Sequence, residues 1–187
     1  MAEQIRTLIW RSLGALGTEH AVLARGAGGH ELKGHVVSVA DEAPLYVHYV
    51  VFCDSSWRTR MVTIEVHHGL AHRRLSLTVT AGRRWFAGES EIIAVHGCLD
   101  VDLGVTPATN TLPVRRLDLA VGEQAEVTAA WVRFPDLAVA PLAQRYVRLS
   151  ETVYRYESST GFTAAIEVDE MGLVVAYEGA WIRAAAA

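Results

Sequence analysis

Hydrophobic and polar residues alternate along much of the chain with a period of two, the spacing at which side chains of a β-strand share one face. In the stretch 59–68, every second residue from Val62 to Val66 is aliphatic. The same parity assigns Arg58 and Arg60 to the aliphatic face. The pattern therefore predicts a half-buried strand with two arginines turned towards the protein interior.

Alternating or apolar segments of strand length follow one another along the chain, separated by turn-forming residues. A helical turn is expected only at Val114–Leu119, after Pro113. We expect an irregular connection at Pro135–Pro141 and a frayed tail at 184–187. The predicted strands are Thr7–Leu13, His20–Arg25, Leu32–Val39, Leu45–Cys53, Thr59–His68, Arg74–Thr80, Trp85–Phe86, Glu91–Leu103, Glu126–Phe134, Gln144–Tyr156 with a bend near Ser150, Phe162–Val168 and Leu173–Tyr177. The pattern predicts a single all-β domain over residues 1–187, folded as a sandwich, barrel or roll.

The composition fits a globular domain with its own core. The chain has 187 residues, of which 51% are hydrophobic, so it can bury a core without a disulfide or a metal. With a net charge of −4, the chain lacks the excess of basic residues that is typical of a nucleic-acid-binding protein. Cys53 and Cys98 lie in apolar segments, where a cysteine behaves as a small buried hydrophobic residue.

No targeting or membrane-spanning segment is recognisable in the sequence. The N-terminus lacks a basic region followed by an apolar one, which a signal peptide requires. The longest uncharged apolar stretch, Ala43–Cys53, is shorter than the roughly 20 residues that span a bilayer. These features predict a cytoplasmic protein without a membrane span.

The stretch Gly97–Leu117, with the sequence GCLDVDLGVTPATNTLPVRRL, holds a dense group of candidate functional residues. Asp100 and Asp102 have the spacing of residues on one face of a strand. Asn110, the one asparagine of the chain, lies between two prolines, and Arg115 opens an arginine pair. We refer to Gly97–Leu117 as the signature block.

Three interpretations of these residues stay open. Arg58 and Arg60 have the same spacing as the two aspartates, so two neighbouring strands could pair them in an internal salt-bridge network. The same charges, together with Asn110 and Arg115, could instead fix the polar group of a ligand. In the third interpretation, the aspartates act as the acid and base of a hydrolase or isomerase, because proximity pushes their pKa values apart.

Aromatic residues are spread over the predicted strands. Such residues usually fill a β core, but in a wide or open barrel they line an apolar cavity for a lipid or a sugar ring. The candidates for such a cavity are Trp57, Trp85, Tyr146, Tyr154 and Tyr156.

No known motif for nucleophilic catalysis, phosphate binding, dinucleotide binding or catalytic zinc occurs in the sequence. We therefore assign no catalytic residue and no cofactor. His67 and His72 belong to one predicted hairpin, but His68 points to the opposite face from His67, and no cysteine or carboxylate is recognised to complete a ligand set. No metal site is predicted.

Several motifs together resemble one known family over nearly the whole chain. They are WRTR at Trp57–Arg60, the signature block, WVRFP at Trp131–Pro135, QRY at Gln144–Tyr146 and YRY at Tyr154–Tyr156. The family is the bacterial one described as "putative glycolipid-binding", a domain of unknown function. The resemblance implies a curved antiparallel sheet wound into a spiral β-roll or open barrel, similar to lipoprotein and lipid-carrier folds. It also implies a lipid or glycolipid ligand and no established catalytic activity. Two alternatives stay open beside this ligand-binding role: a hydrolase or isomerase that uses Asp100 and Asp102, and a non-catalytic interaction scaffold.

Overall fold

The computed structural model describes residues 3–14 and 16–187, and this part of the chain contains fifteen strands and one α-helix. The strands are β1 Glu3–Ser12, β2 Gly17–Gly26, β3 Gly29–Ala40, β4 Ala43–Cys53, β5 Thr59–His68, β6 Ala71–Val79, β7 Trp85–Ala87, β8 Ser90–Glu91, β9 Val101–Leu103, β10 Gln124–Val132, β11 Val139–Arg148, β12 Val153–Ser158, β13 Thr163–Val168, β14 Val174–Tyr177 and β15 Trp181–Ala186. Short 3₁₀ turns lie at Ile93–Val95 and Ala108–Asn110, and the helix α1 is Thr111–Leu117.

The strands form one large curved sheet. Its order is β8-β7-β6-β5-β4-β3-β2-β1-β15-β14-β13-β12-β11-β10-β9. Strands adjacent in sequence pair antiparallel from β1 to β8 and from β10 to β15, β1 also pairs antiparallel with β15, and β9 runs parallel to β10. Because β8 and β9 are the two edges and do not pair with each other, the sheet is an open barrel or roll. The all-β fold expected from the sequence is confirmed.

The core lies on the concave face of the sheet, and strand alternation determines which side chains enter it. In β4, every second residue from Leu45 to Cys53 is buried. In β5, Val62, Ile64 and Val66 are buried in the same way, as their alternation indicated. Cys98 is also buried, and burial raises the pKa of its thiol to about 11.

The two ends of the sheet are connected through the beginning of β5. The Thr59 amide donates a hydrogen bond to the Leu99 carbonyl (2.9 Å), and the Val101 amide donates one to Thr59 Oγ1 (3.0 Å). Helix α1 then packs into the concave side, where Leu112 and Val114 join the hydrophobic core. The helical turn expected at Val114–Leu119 exists, but it begins three residues earlier and ends at Leu117.

The prediction of one strand at Glu91–Leu103 is wrong. Strand β8 ends at Glu91, a 3₁₀ turn follows, and β9 begins only at Val101. The chain between them bonds to the β6–β7 region instead of a ladder: the Ile92 amide donates to the Trp85 carbonyl (2.8 Å) and the Gly97 amide to the Arg83 carbonyl (3.1 Å).

The prediction of a frayed tail at 184–187 is also wrong. Residues 184–186 complete β15 and pair with β1, where Leu8 faces Ala186. The Thr7 amide donates to the Ala187 carbonyl (2.8 Å), and the Ala187 amide donates to the Thr7 carbonyl (2.9 Å). Backbone pairing anchors this segment although its alanine side chains contribute little apolar area.

The proline-rich connection is shorter than expected. Pro141 lies inside β11, opposite Ala130 of β10. Pairing between β11 and β12 begins only at Gln144, so the missing amide of Pro141 interrupts no ladder on that side. The segment expected as one bent strand at Gln144–Tyr156 is the hairpin formed by the end of β11 and the beginning of β12.

Candidate functional site: a polar and aromatic cleft at the signature block

Part of the signature block lines a cleft of about 240 Å³. The block contributes the end of β9 and the turn that leads to the helical segment. Strands β10 to β12 and the segments around β13 to β15 contribute the remaining walls. The lining residues are Asp102, Leu103, Gly104, Thr106, Asn110, Trp131, Leu142, Tyr156, Ser158, Thr160, Phe162, Tyr177, Ala180 and Trp181.

Asp102 carries the one carboxylate among the described lining residues. Gln144 is buried beside it and donates a hydrogen bond from Nε2 to Asp102 Oδ2 (2.6 Å). Burial raises the pKa of Asp102 to about 6, and the bond from Gln144 opposes this rise only partly. Because no arginine in the described part of the chain pairs with it, this carboxylate can accept a hydrogen bond from a ligand or hold a proton near neutral pH.

Asn110 is held at the cleft by its own block and by β11. Its Nδ2 donates to the Pro107 carbonyl (3.2 Å), and the Tyr146 hydroxyl donates to its Oδ1 (3.0 Å). Tyr146 is fully buried behind the cleft wall and does not line it. These two bonds fix the amide orientation of Asn110, so that it presents a pre-formed polar group.

A buried acid supports the wall formed by Thr106. Glu19 of β2 is fully buried, and it accepts hydrogen bonds from the Tyr49 hydroxyl (2.5 Å) and from Thr106 Oγ1, which lies 2.8 and 2.7 Å from its two oxygens. Burial raises the pKa of Glu19 to about 7, against the lowering effect of these bonds. Gly34 makes room for the Tyr49 ring, since a Cβ there would lie 2.5 Å from the Tyr49 hydroxyl oxygen.

Three aromatic rings pack against one another in the cleft. Tyr156 and Tyr177 meet edge to face with centroids 6.0 Å apart, and Phe162 lies 5.9 Å from Tyr177 and 6.2 Å from Tyr156. The Phe162 side chain is exposed, whereas the two tyrosines are buried. Trp131 and Trp181, both partly buried, add further aromatic surface. Such a wall suits the apolar faces of a sugar ring or an alkyl segment.

Asp100 and Asp102 have separate roles. Arg116, from the end of α1, donates from Nε to Asp100 Oδ1 (2.9 Å) and from its terminal nitrogen to Oδ2. The Asp100 side chain is 2% exposed, and its pKa is raised because burial outweighs the effect of Arg116. The cleft reaches Asp102 but not Asp100. The two acids therefore do not form an acid and base pair in one open site.

The predicted pairing of Arg58 and Arg60 with the two aspartates does not occur, so this prediction is wrong. Arg60 forms a two-pronged pair with Asp54, from Nε (3.1 Å) and from its terminal nitrogen (2.8 Å) to Oδ2, and Arg58 is exposed. The cause is a β-bulge: Thr59 faces Cys53 and Met61 faces Phe52, so Arg60 has no partner in the ladder. The extra residue reverses the parity on which the expectation rested.

Arg115 and Trp57 contact each other away from the cleft. The Arg115 guanidinium carbon lies 5.6 Å from the centre of the Trp57 ring. That ring also stacks on His30 at 3.9 Å. The pKa of His30 is lowered by partial burial, with a smaller contribution from the charge of Arg115.

The other predicted aromatic residues fill the core. Trp85 is fully buried and donates from Nε1 to the Cys98 carbonyl (3.1 Å). Tyr154 is buried beneath Arg148, whose guanidinium carbon lies 5.5 Å from the ring centre. Of the five aromatic cavity candidates, Tyr156 alone lines the cleft in the described chain.

Larger depressions occur on the convex face of the sheet. One of about 390 Å³ lies across β10, β11 and β12, and one of about 580 Å³ lies over β1, β2 and β3. The depression across β10, β11 and β12 has a mixed lining, in which Arg145 and Glu157 already pair with each other (2.7 Å). Neither of these two is lined by the signature block, whereas Gly97, Cys98, Leu99, Arg116 and Leu117 of the block line part of a third depression of about 430 Å³.

Sequence reasoning missed Glu19, Gln144, Phe162, Tyr177 and Trp181. The burial of Glu19 was visible in the sequence pattern, because Glu19 shares a strand face with Ala21 and Leu23, which are buried. Gln144 lay within a recognised motif, but its contact with Asp102 depends on strand pairing that local sequence does not specify.

Comparison with known proteins gives a consistent result. The sequence profile of the family described as "Putative glycolipid-binding" matches residues 7–183. The chain belongs to this family. A crystal structure of a DUF1089 family protein from Pseudomonas aeruginosa is similar to this chain, with a TM-score of 0.78 and 31% identity over 86% of this chain and 89% of that chain. No curated protein matches the sequence.

Within residues 3–14 and 16–187, no helix combines the length and hydrophobicity that a membrane crossing requires.

Proposed function

We propose that the cleft binds the polar, hydroxyl-bearing head group of a glycolipid-like amphiphile, without catalysing a reaction. The observation that carries this proposal is the combination, in one cleft, of an unneutralised carboxylate with aromatic rings. Asp102, Asn110 and Thr106 supply polar groups, and Tyr156 and Tyr177 belong to the aromatic wall. Aromatic surface for the ring faces and oriented polar groups for the hydroxyls are what a sugar requires.

The size of the cleft supports a head group rather than a whole lipid. Its volume of about 240 Å³ lies below the range of roughly 300–1,000 Å³ that is usual for drug-sized ligands. A single sugar ring fits this scale, so an attached alkyl chain would extend past the exposed Phe162. The family description supports the same ligand class.

The lining residues favour binding over glycoside hydrolysis. Hydrolysis in most glycosidase families uses two carboxylates that flank the scissile bond. Asp102 is the one carboxylate among the described lining residues, Asp100 is engaged by Arg116, and Glu19 is fully buried behind Thr106.

The proposal is tested by titrating monomeric octyl β-glucoside into the wild-type protein and the Asp102→Asn variant, with calorimetric detection. The variant should bind at least about tenfold more weakly, because a hydrogen bond to a charged group contributes roughly 1.5–3 kcal/mol. Its thermal stability at pH 7 should not fall, since ionising Asp102 in the folded protein is unfavourable.

Octanol is the control for the alkyl chain, and free glucose is assayed as the product of hydrolysis. Equal binding of octanol and octyl glucoside, or equal affinity of both proteins for the glucoside, would contradict head-group recognition. Release of glucose that depends on Asp102 would contradict a purely binding role.

A further inference from the structure

A second cluster of polar side chains lies on the convex face of the sheet, on the β5–β6 hairpin. Glu65 and His67 are two residues apart on β5 and therefore share a face. His72 of β6 lies directly opposite His67. The register is fixed close by, because His68 pairs with Ala71 across the hairpin turn. The fold thus brings two imidazoles and a carboxylate together on regular strands.

The potential ligand atoms of this cluster already converge. Glu65 Oε1 lies 2.8 Å from His72 Nε2 and 3.5 Å from His67 Nε2. The two imidazole rings stack with centroids 4.4 Å apart. One donor atom from each of the three side chains lies within 4.8 Å of those of the other two.

These separations suit a metal ion of the zinc type. Zinc–nitrogen bonds of about 2.0–2.1 Å in a tetrahedral arrangement place neighbouring ligand atoms roughly 3.3 Å apart. The distances of 2.8 and 3.5 Å from Glu65 Oε1 lie on either side of this value. Small side-chain rotations would bring all three atoms to bonding distance, and imidazole and carboxylate are both common zinc ligands.

We propose that Glu65, His67 and His72 form a surface site for a divalent transition-metal ion of the zinc type. Three protein ligands leave a coordination position open for water or a further ligand. The side chains are 32%, 50% and 41% exposed, so an ion reaches them directly from solvent. The site is separate from the cleft, and its existence does not depend on the proposed glycolipid function.

Arg74 would compete with this ion for the Glu65 carboxylate. Its terminal nitrogen lies 3.0 Å from the same Glu65 oxygen that the two histidines approach. A bound metal would displace the guanidinium, which is 71% exposed and can swing into solvent.

The sequence did predict that His67 and His68 face opposite sides, and His68 indeed bonds to the Ala40 carbonyl (2.8 Å). The conclusion that no carboxylate completes a ligand set is wrong, because strand alternation places Glu65 beside His67. The face-sharing spacing of Glu65 and His67 was the signal that could have found it.

Calorimetric titration of zinc chloride into tag-free protein at pH 7.5 tests the proposal. Wild-type protein should bind one zinc ion at this site, and binding should raise its melting temperature. His67→Ala and His72→Gln should each lower the affinity at least about tenfold, since even changes in residues that only orient metal ligands cost about 10- to 100-fold. Arg74→Ala should raise the affinity severalfold, because it removes a competing positive charge.

His96→Ala is the matched control, because His96 also contacts one glutamate, Glu91, at 2.9 Å on the surface, but within residues 3–14 and 16–187 it belongs to no cluster of three potential metal ligands. This variant should bind zinc as the wild type does. Circular dichroism checks that every variant is folded. Absence of zinc binding at micromolar concentration, or unchanged affinity in both His67→Ala and His72→Gln, would overturn the proposal.

Discussion

Replacing Glu19 by glutamine should change how the stability of the protein depends on pH. Glu19 is fully buried, and burial raises the pKa of its carboxyl from 4.5 to about 7. Folding therefore favours the protonated form. The folded protein is most stable below pH 4.5 with respect to this group, and it loses stability as the pH rises towards 7.

The size of the effect follows from the pKa. A rise from 4.5 to about 7 corresponds to about 3 kcal/mol, because one pKa unit is worth about 1.4 kcal/mol. Glutamine has the shape of the protonated acid and carries no charge. Glu19→Gln should therefore become more stable relative to the wild type as the pH rises. The difference between their free energies of unfolding should grow by up to about 3 kcal/mol between pH 4.5 and 8.

Urea unfolding followed by tryptophan fluorescence at several pH values measures this difference. Because Asp102 is present in both proteins, its own titration cancels from the comparison. Tyr49→Phe is a second informative variant: it removes a hydrogen bond that lowers the pKa of Glu19, so the loss of stability with rising pH should become larger. A difference between Glu19→Gln and wild type that stays constant to within about 1 kcal/mol over this range would refute the reasoning.

Three further predictions concern the core. Gly34→Ala should cost roughly 1–3 kcal/mol in urea unfolding, since the new methyl group overlaps the buried Tyr49 ring. Asp100→Asn should cost about 3–5 kcal/mol by the same measurement, because the buried carboxylate is lost and the partly buried guanidinium of Arg116 is left without its partner. Glu157→Gln, which alters a more solvent-exposed ion pair with Arg145, is its control and should have a much smaller effect. Cys98 should not react with a thiol reagent at pH 8 unless the protein is unfolded, because it is buried and its thiol pKa is about 11.

Each of these core predictions has a clear contrary result. Wild-type stability of Gly34→Ala would show that Tyr49 can shift at little cost. An Asp100→Asn variant no less stable than Glu157→Gln would show that the buried pair contributes little. Rapid modification of Cys98 in the native state would contradict the packing around it.

Much of the fold could be predicted from the sequence because strand alternation is a local property. Val62, Ile64 and Val66 are buried, as their period of two indicated. The pairing of β1 with β15 could not be predicted in this way, since it joins residues at the two ends of the chain. The bulge at Arg60 was equally hidden, because it depends on the register of β5 against β4.

The site was less predictable than the fold. The signature block was recognised, and Asp102 and Asn110 within it do line the cleft. Their partners were not recognised, because Gln144 and Tyr146 reach them only through pairing between distant strands. The arginine partner of Asp100 is Arg116 of the same block, which helix α1 brings to it. Arg58 and Arg60 have the same spacing as the two aspartates but do not pair with them.

The most direct test of the account is to follow the indole N–H signals of the five tryptophans by NMR during titration with monomeric octyl β-glucoside. Trp131 and Trp181 line the cleft, whereas the indoles of Trp10 and Trp85 donate to the Val174 and Cys98 carbonyls in the core (2.8 and 3.1 Å). Assignment comes from single Trp→Phe variants. We predict saturable shifts of the Trp131 and Trp181 signals, with those of Trp10 and Trp85 unchanged. Unchanged Trp131 and Trp181 signals at saturating glucoside, or the same shifts with octanol, would contradict head-group binding in the cleft.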